Sequence, residues 1–214
     1  MSGLTDAKPV EKEWSAAQQA AKAETISRPK REYRTYLFLA VLLAVIGAFA
    51  TLTFLVETIP SFPIDLQITR ALQSINSPLL DAFMNWISWF GFFPQSFFIP
   101  AIIVVLLYLF GYRWEAVAAV FAALLPPIVN VIVKDSVRRP RPTVDLVHVF
   151  RILDSYSFPS GHVMYYVGFF GFMWFLAYTL LKRSFIRTIL LVFLGSLIAL
   201  VGISRIYLGQ HWAS

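Results

Sequence analysis

Apolar residues along the 214-residue chain gather into five long runs separated by polar, charge-bearing stretches. Tyr36–Val56 is uninterrupted and of spanning length, since about 20 residues at 1.5 Å rise cross a hydrocarbon core of about 30 Å. Phe97–Leu109 is shorter and is expected to draw residues from the aromatic stretch ahead of it. Trp114–Val133, Val163–Leu181 and Ile186–Ile203 complete the set, with Pro126-Pro127 expected to kink the third. Between the first two runs, Ile64, Ile68, Ala71, Leu72 and Ile75 recur at helical spacing, with Asp65, Arg70 and Ser74 off that face. Ser77-Pro78 then reads as an N-cap followed by proline in the first turn. Two short amphipathic helices lying in the membrane interface are expected there, serving as a connector or lid.

Residues 1–35 are rich in Ala, Lys and Glu and lack a sustained apolar face, so a solvated arm is expected ahead of a domain over 36–214. That arm has no apolar h-region, so no cleavable secretory signal is read in it, and the first span is expected to act as its own insertion signal. Its basic end, Arg28 to Arg34, is a positive-inside anchor. Arg113 and the cluster Lys182, Arg183 and Arg187 fall on the same side by alternation of the spans, which makes that side cytoplasmic. The segments 57–96, 134–162 and 204–214 then share the opposite, extracytoplasmic face, as expected of a bacterial inner-membrane protein.

Composition sharpens this picture. The chain is 58% apolar and 14% charged, with 20 Phe and six Trp, and its mean hydropathy is +0.67. Soluble domains carry about 25% charged residues. The fold class is therefore all-α, a polytopic transmembrane bundle. The chain has no cysteine, which excludes disulfides, thiol nucleophiles and Cys-ligated zinc. A net charge of +6 would suit nucleic acid, but in so apolar a chain anionic lipid or phosphate is the better partner, and no nucleic acid is expected.

Lys134, Arg138, Arg139, Arg141 and Arg151 lie on the outer face, against the positive-inside rule, and phosphate binding supplies a reason. Three polar clusters sit there at span ends: "KDSVRRPRP" (134–142), "PSGH" (159–162) and "SRIYLGQH" (204–211). Lys134 offers a point charge and Arg141 a planar fork of donors for phosphate oxygens. Pro140 and Pro142 hold their segment extended. Ser160-Gly161 falls at a helix N-terminus, where free N–H groups attract an anion, and Gly161 lets backbone approach a ligand. Arg205 adds a further cation, completing a clamp for a transferring phosphoryl group. His162 and His211 remain for covalent and proton work, one attacking phosphorus and the other protonating the departing oxygen. No cluster of His and carboxylates in the sequence has the look of a metal site, so neither metal nor other cofactor is expected.

Lys134 with Arg141-Pro142, Pro159-Ser160-Gly161-His162, and Ser204-Arg205 with His211 resemble the three motifs of the type 2 phosphatidic acid phosphatase superfamily, in membrane form. The resemblance implies that His211 is a nucleophile forming a phosphohistidine and His162 the acid for the leaving group. It assigns Lys134, Arg141, Ser160, Gly161 and Arg205 to phosphate binding, in a bundle of six transmembrane helices with no metal cofactor. It also calls for an Asp four positions after His211, at 215, opening a sixth span. The implied activity is hydrolysis of a lipid phosphate or diphosphate, such as phosphatidate, phosphatidylglycerophosphate or undecaprenyl diphosphate. Transfer of the phosphoryl group to an acceptor alcohol, and silent lipid binding or transport, are the alternatives.

Other polar residues have plainer expectations. Arg138 and Arg139 either add to the phosphate field or form a solvated, headgroup-facing loop. Asn130, one turn before Lys134, either bonds near the site or packs helices. Tyr207 and Trp212 are expected as interfacial aromatics, and His148 as an ordinary loop residue.

Overall fold

A computed structural model describes residues 28–59, 61–75 and 77–214; the polar arm, up to residue 27, lies outside the described residues. The chain divides into two compact units, Met1–Thr51 and Leu52–Ser214. Helix α1 (Arg28–Thr58) begins in the first and ends in the second. In the first unit its apolar side chains, Leu37 to Phe49 among them, are largely exposed.

Among the described residues the second unit holds six further helices: α2 (Pro63–Gln73), α3 (Pro78–Trp89), α4 (Gln95–Leu109), α5 (Arg113–Val137), α6 (Gly161–Leu180) and α7 (Phe185–Tyr207). Four helices among the described residues, α1, α5, α6 and α7, are long and apolar enough to cross a membrane, and α4 is a shorter apolar helix. α4 does take in Gln95 and Ser96 from the aromatic stretch. α5 and α7 run past their apolar runs to Val137 and Tyr207. Backbone hydrogen bonding continues wherever packing supports it, whatever the polarity of the side chains. This extension puts Lys134 and Arg205 on last turns of helices rather than in loops.

α3 begins as expected, with Ser77 at the N-cap and Pro78 next, but the Ser77 hydroxyl makes no capping bond. α2 is capped from the other end of the motif: the Asp65 carboxylate accepts from the Phe62 N–H at 3.1 Å. Its amphipathicity is turned outward, with Asp65 and Thr69 buried and Ile64, Ile68 and Ile75 exposed. That arrangement suits a helix whose outer side meets hydrocarbon and whose inner side meets a polar centre.

The core of this unit is aromatic. Ile87, Tyr165, Tyr166, Phe169, Phe170, Leu194, Leu197 and Val201 pack between α3, α6 and α7. In lipid, where there is no water to escape from, such contacts hold helices together through close packing. Gly168 allows it: a Cβ there would fall 2.4 Å from Pro126 Cγ on α5. Within α6, residues Tyr166–Phe170 form a π-helical turn, which accommodates one extra residue and shifts the register of everything beyond it.

Candidate phosphate site

The first motif crosses from α5 into an extended segment. Arg138 ends α5 in a left-handed conformation with φ 51°, its N–H donating to Lys134 O. Arg139 then turns inward. It is fully buried, its Nη2 lies 2.9 Å from Asp65 Oδ2, and its Nη1 donates to Ser214 O at 2.7 Å. Ser214 returns its own N–H and Oγ to the same carboxylate. Arg139 is therefore neither a solvated loop residue nor a headgroup contact, and the Asp65 pair takes up its charge. Two positions on, Arg141 reaches the centre. Its Nε and Nη2 donate to Ser155 O and Oγ, its Nη1 donates to Gln210 O, and that Nη1 lies 3.1 Å from His211 Nε2. Burial lowers its pKa to about 10, so the guanidinium stays charged at neutral pH.

The second motif opens α6. Ser160 is the N-cap, its Oγ accepting from Val163 N–H. Pro159 O accepts from Asn130 Nδ2 at 2.9 Å, so Asn130 fastens α5 to this turn. A Cβ on Gly161 would come 3.1 Å from Asn130 Oδ1, which is why glycine suits that position. His162 points into the bundle: its ring meets Phe92 edge-on at 4.6 Å and presses on Gly91, where a Cβ would lie 2.4 Å from His162 Cδ2. His162 Nε2 is buried with no hydrogen-bond partner among the described residues.

The third motif closes α7. The Ser204 and Ser88 hydroxyls are 2.9 Å apart. Arg205 is buried, donates from Nη1 to Ser88 Oγ at 3.3 Å, and sets its guanidinium 5.4 Å from the Phe92 ring centre. After Tyr207 the chain turns at Gly209 (φ +65°), where a Cβ would strike His148 O. Gln210 and His211 both donate their N–H to Arg205 O, which folds His211 back over the helix end. His211 is buried, with Nδ1 2.6 Å from Ser157 O. A carbonyl can only accept, so Nδ1 carries the proton and the Nε2 lone pair faces Arg141. Burial, and then the charges of Arg205, Arg141 and Lys134, hold this imidazole well below the usual histidine pKa. The three clusters thus converge on one centre.

Asp65, Ser88, Gly91, Phe92 and Ser157 also build this centre, and no sequence pattern marks them for it. Tyr207 and Trp212 are buried, not interfacial. The Tyr207 hydroxyl donates to Asp81 and Trp212 Nε1 to Pro140 O at 3.0 Å. His148 serves through its backbone, which exchanges hydrogen bonds with the Gln73 side chain. Among the described residues, no three of His, Asp and Glu are grouped so as to hold a metal ion.

The sequence model of the PAP2 superfamily matches residues 115–214. Phosphatidylglycerophosphatase B of Bacillus subtilis (strain 168) is 31% identical over 157 residues, covering 70% of this chain and 73% of the relative. The chain belongs to the PAP2 superfamily. It is an integral, multi-pass membrane protein and a hydrolase of the PAP2 kind. Among solved structures it resembles the transmembrane PAP2-type phosphatidylglycerolphosphate phosphatase of Bacillus subtilis, with TM-score 0.69 and 25% identity over 80% of this chain and 84% of that one. LpxE of Aquifex aeolicus shares the fold, with TM-score 0.53 and 23% identity over 72% of this chain and 87% of its own.

Proposed function

We propose that this PAP2 protein hydrolyses a lipid phosphate or diphosphate without a metal, through a phosphohistidine on His211. The observation that carries the reading is the pairing of His211 Nδ1 with Ser157 O, which leaves the Nε2 lone pair 3.1 Å from Arg141. Nε2 attacks phosphorus as the bond to the lipid oxygen breaks, and His162 gives its proton to that oxygen. Water, giving a proton back to His162, then attacks phosphorus as the phosphorus–Nε2 bond breaks, which frees His211 and inorganic phosphate. Lys134, Arg141 and Arg205, with Ser160 and Gly161 at the start of α6, hold the equatorial oxygens, whose charge they stabilise in the transition state. Residues 36–214 make the phosphatase domain and 1–35 a cytoplasmic arm. Phosphatidylglycerophosphate, the class named for the relatives, is the leading substrate.

Phosphate release from a labelled lipid phosphate is expected to continue at the parent rate in excess EDTA, with no label transferred to acceptor lipids. Loss of activity on chelation, restored by Mg²⁺, would overturn the metal-free reading. Label appearing in an acceptor lipid would favour phosphotransfer.

The site is proposed to open on the extracytoplasmic face of a bacterial inner membrane, because Arg113, Lys182, Arg183 and Arg187 gather at the other ends of the spans. With no native cysteine, single replacements report topology directly. A membrane-impermeant maleimide applied to intact cells should label Asp154→Cys and leave Lys182→Cys unmodified. The reverse pattern would invert the topology.

A further inference from the structure

Beside the centre lies a cleft of about 380 Å³, its polar lining including Arg141, Thr143, Arg151, Ser155 and Gln210. That volume lies within the usual range of ligand pockets. Arg141 in this lining is committed to Ser155, Gln210 and His211. Arg151, also in the lining, is exposed, and among the described residues it makes no hydrogen bond or ion pair. It rests on an aromatic face, its guanidinium 5.6 Å from the Phe92 ring centre. Arg205 faces the same ring at 5.4 Å, so the two guanidiniums are separated by no more than the sum of those distances. Phe92 therefore holds Arg151 within that distance of Arg205 while leaving its N–H fork unspent.

Three cations, Lys134, Arg141 and Arg205, already more than offset the two charges of a terminal phosphate. A fourth, uncompensated and on the face where the positive-inside rule disfavours it, needs its own anion. We infer that this cleft is a second anion subsite, in which Arg151 takes a further phosphate of the headgroup while Lys134, Arg141 and Arg205 hold the one being removed. The ligand class is a lipid with two phosphates, linked either directly as a diphosphate or through glycerol. A fork of donors meeting a phosphodiester or diphosphate oxygen makes a charge-assisted, bidentate contact that a monophosphate lipid cannot supply.

This inference rests on the hydrolase reading above, and the test separates the two. The parent chain, Arg151→Gln and Arg151→Lys are assayed in mixed micelles at fixed surface mole fraction against phosphatidate, phosphatidylglycerophosphate and a prenyl diphosphate. For Arg151→Gln, KM is expected to rise about tenfold on at least one two-phosphate lipid, the scale of one lost charged hydrogen bond, and less than about twofold on phosphatidate. Arg151→Lys, which keeps the charge but not the fork, should recover only part of the loss. The lipid that suffers shows whether the second phosphate sits directly on the first or a glycerol away, and either result upholds the subsite. Equal effects on all three lipids, or none on any, would overturn it. A parent chain that cleaves none of the three would refute the hydrolase reading itself, and the subsite with it.

Discussion

His211→Gln leaves a folded, membrane-inserted protein that releases phosphate from lipid phosphates at least about a thousandfold more slowly than the parent. Glutamine keeps the volume and can still donate an N–H toward Ser157 O, so the fold around Arg141 and Arg205 has no cause to change. It cannot offer a basic nitrogen to phosphorus. Acid-quenched and base-quenched mixtures with labelled substrate separate this from general damage: the parent should yield an acid-labile, base-stable phosphoprotein and the variant none. A variant retaining a tenth of the parent rate would remove His211 from the covalent step.

Protonation provides a second readout. His211 is buried neutral, and its pKa lies well below the ordinary 6.5. Below about pH 6.5 the unfolded chain takes up a proton that the folded chain resists, so stability falls as pH falls. The limit is about 1.4 kcal/mol per pH unit for the one group. His211→Gln lacks this term, and its melting temperature should drop less than the parent's between pH 7.5 and 5.5.

Asp65→Ala is expected to cost about 3–5 kcal/mol of stability, because it takes the Asp65 counter-charge from the buried Arg139 guanidinium. The carboxylate is fully used, accepting from Phe62 N–H, Arg139 Nη2, Ser214 N–H and Ser214 Oγ. Phe62 N–H and the Ser214 N–H and Oγ lose this acceptor at once, while Arg139 keeps its bonds to Ser214. Removing the cation as well, in Asp65→Ala/Arg139→Met, should restore much of the loss, since a pair replaced by apolar groups is often near neutral. Thermal unfolding in detergent micelles measures both. Activity should fall with the single change too: Arg139 O accepts from Ser157 N–H at 2.8 Å, and Ser157 O in turn fixes the His211 tautomer. A single variant melting with the parent would show that the pair is dispensable.

The spans and the three polar clusters were legible because charge is rare in this chain. A Lys, an Arg pair or a His beside a run of Val and Leu stands out, and the helices leave it few places to go. Helix ends were less legible, since Lys134 and Arg205 extend α5 and α7 through polar residues that hydropathy alone would cut off. The Asp65–Arg139 pair was unreadable. Its members are 74 positions apart, and Asp65 sits in a short amphipathic helix where an acidic residue ordinarily faces water. Only the outward turn of Ile64 and Ile68 reveals that α2 buries its polar side. Gly91 and Phe92 lay hidden for a different reason: in the run "WFGFFPQ" every residue suits a membrane interface, and nothing marks which ring a histidine will touch. Tyr207 and Trp212 matched the aromatic-belt pattern, but Asp81 and Pro140 O gave their polar atoms partners inside the protein.

The π-helical turn at Tyr166–Phe170 makes α6 a shaft with an offset cut into it. Each residue of an α-helix advances the rotation by about 100°, so one inserted residue sets how the half carrying His162 is indexed against the half carrying Trp174 and Tyr178. The wider π turn absorbs its extra residue with the two halves kept in place, whereas deleting a single position from the regular part of α6 would rotate one half against the other by about that angle. Either His162 would leave Gly91 and Phe92, or the distal half would present a different stripe to α7 and the lipid. A sequence change that looks gentle, with no charge lost and no proline gained, would therefore be among the most disruptive that α6 could undergo. Length, more than composition, is what this stretch of the chain must preserve.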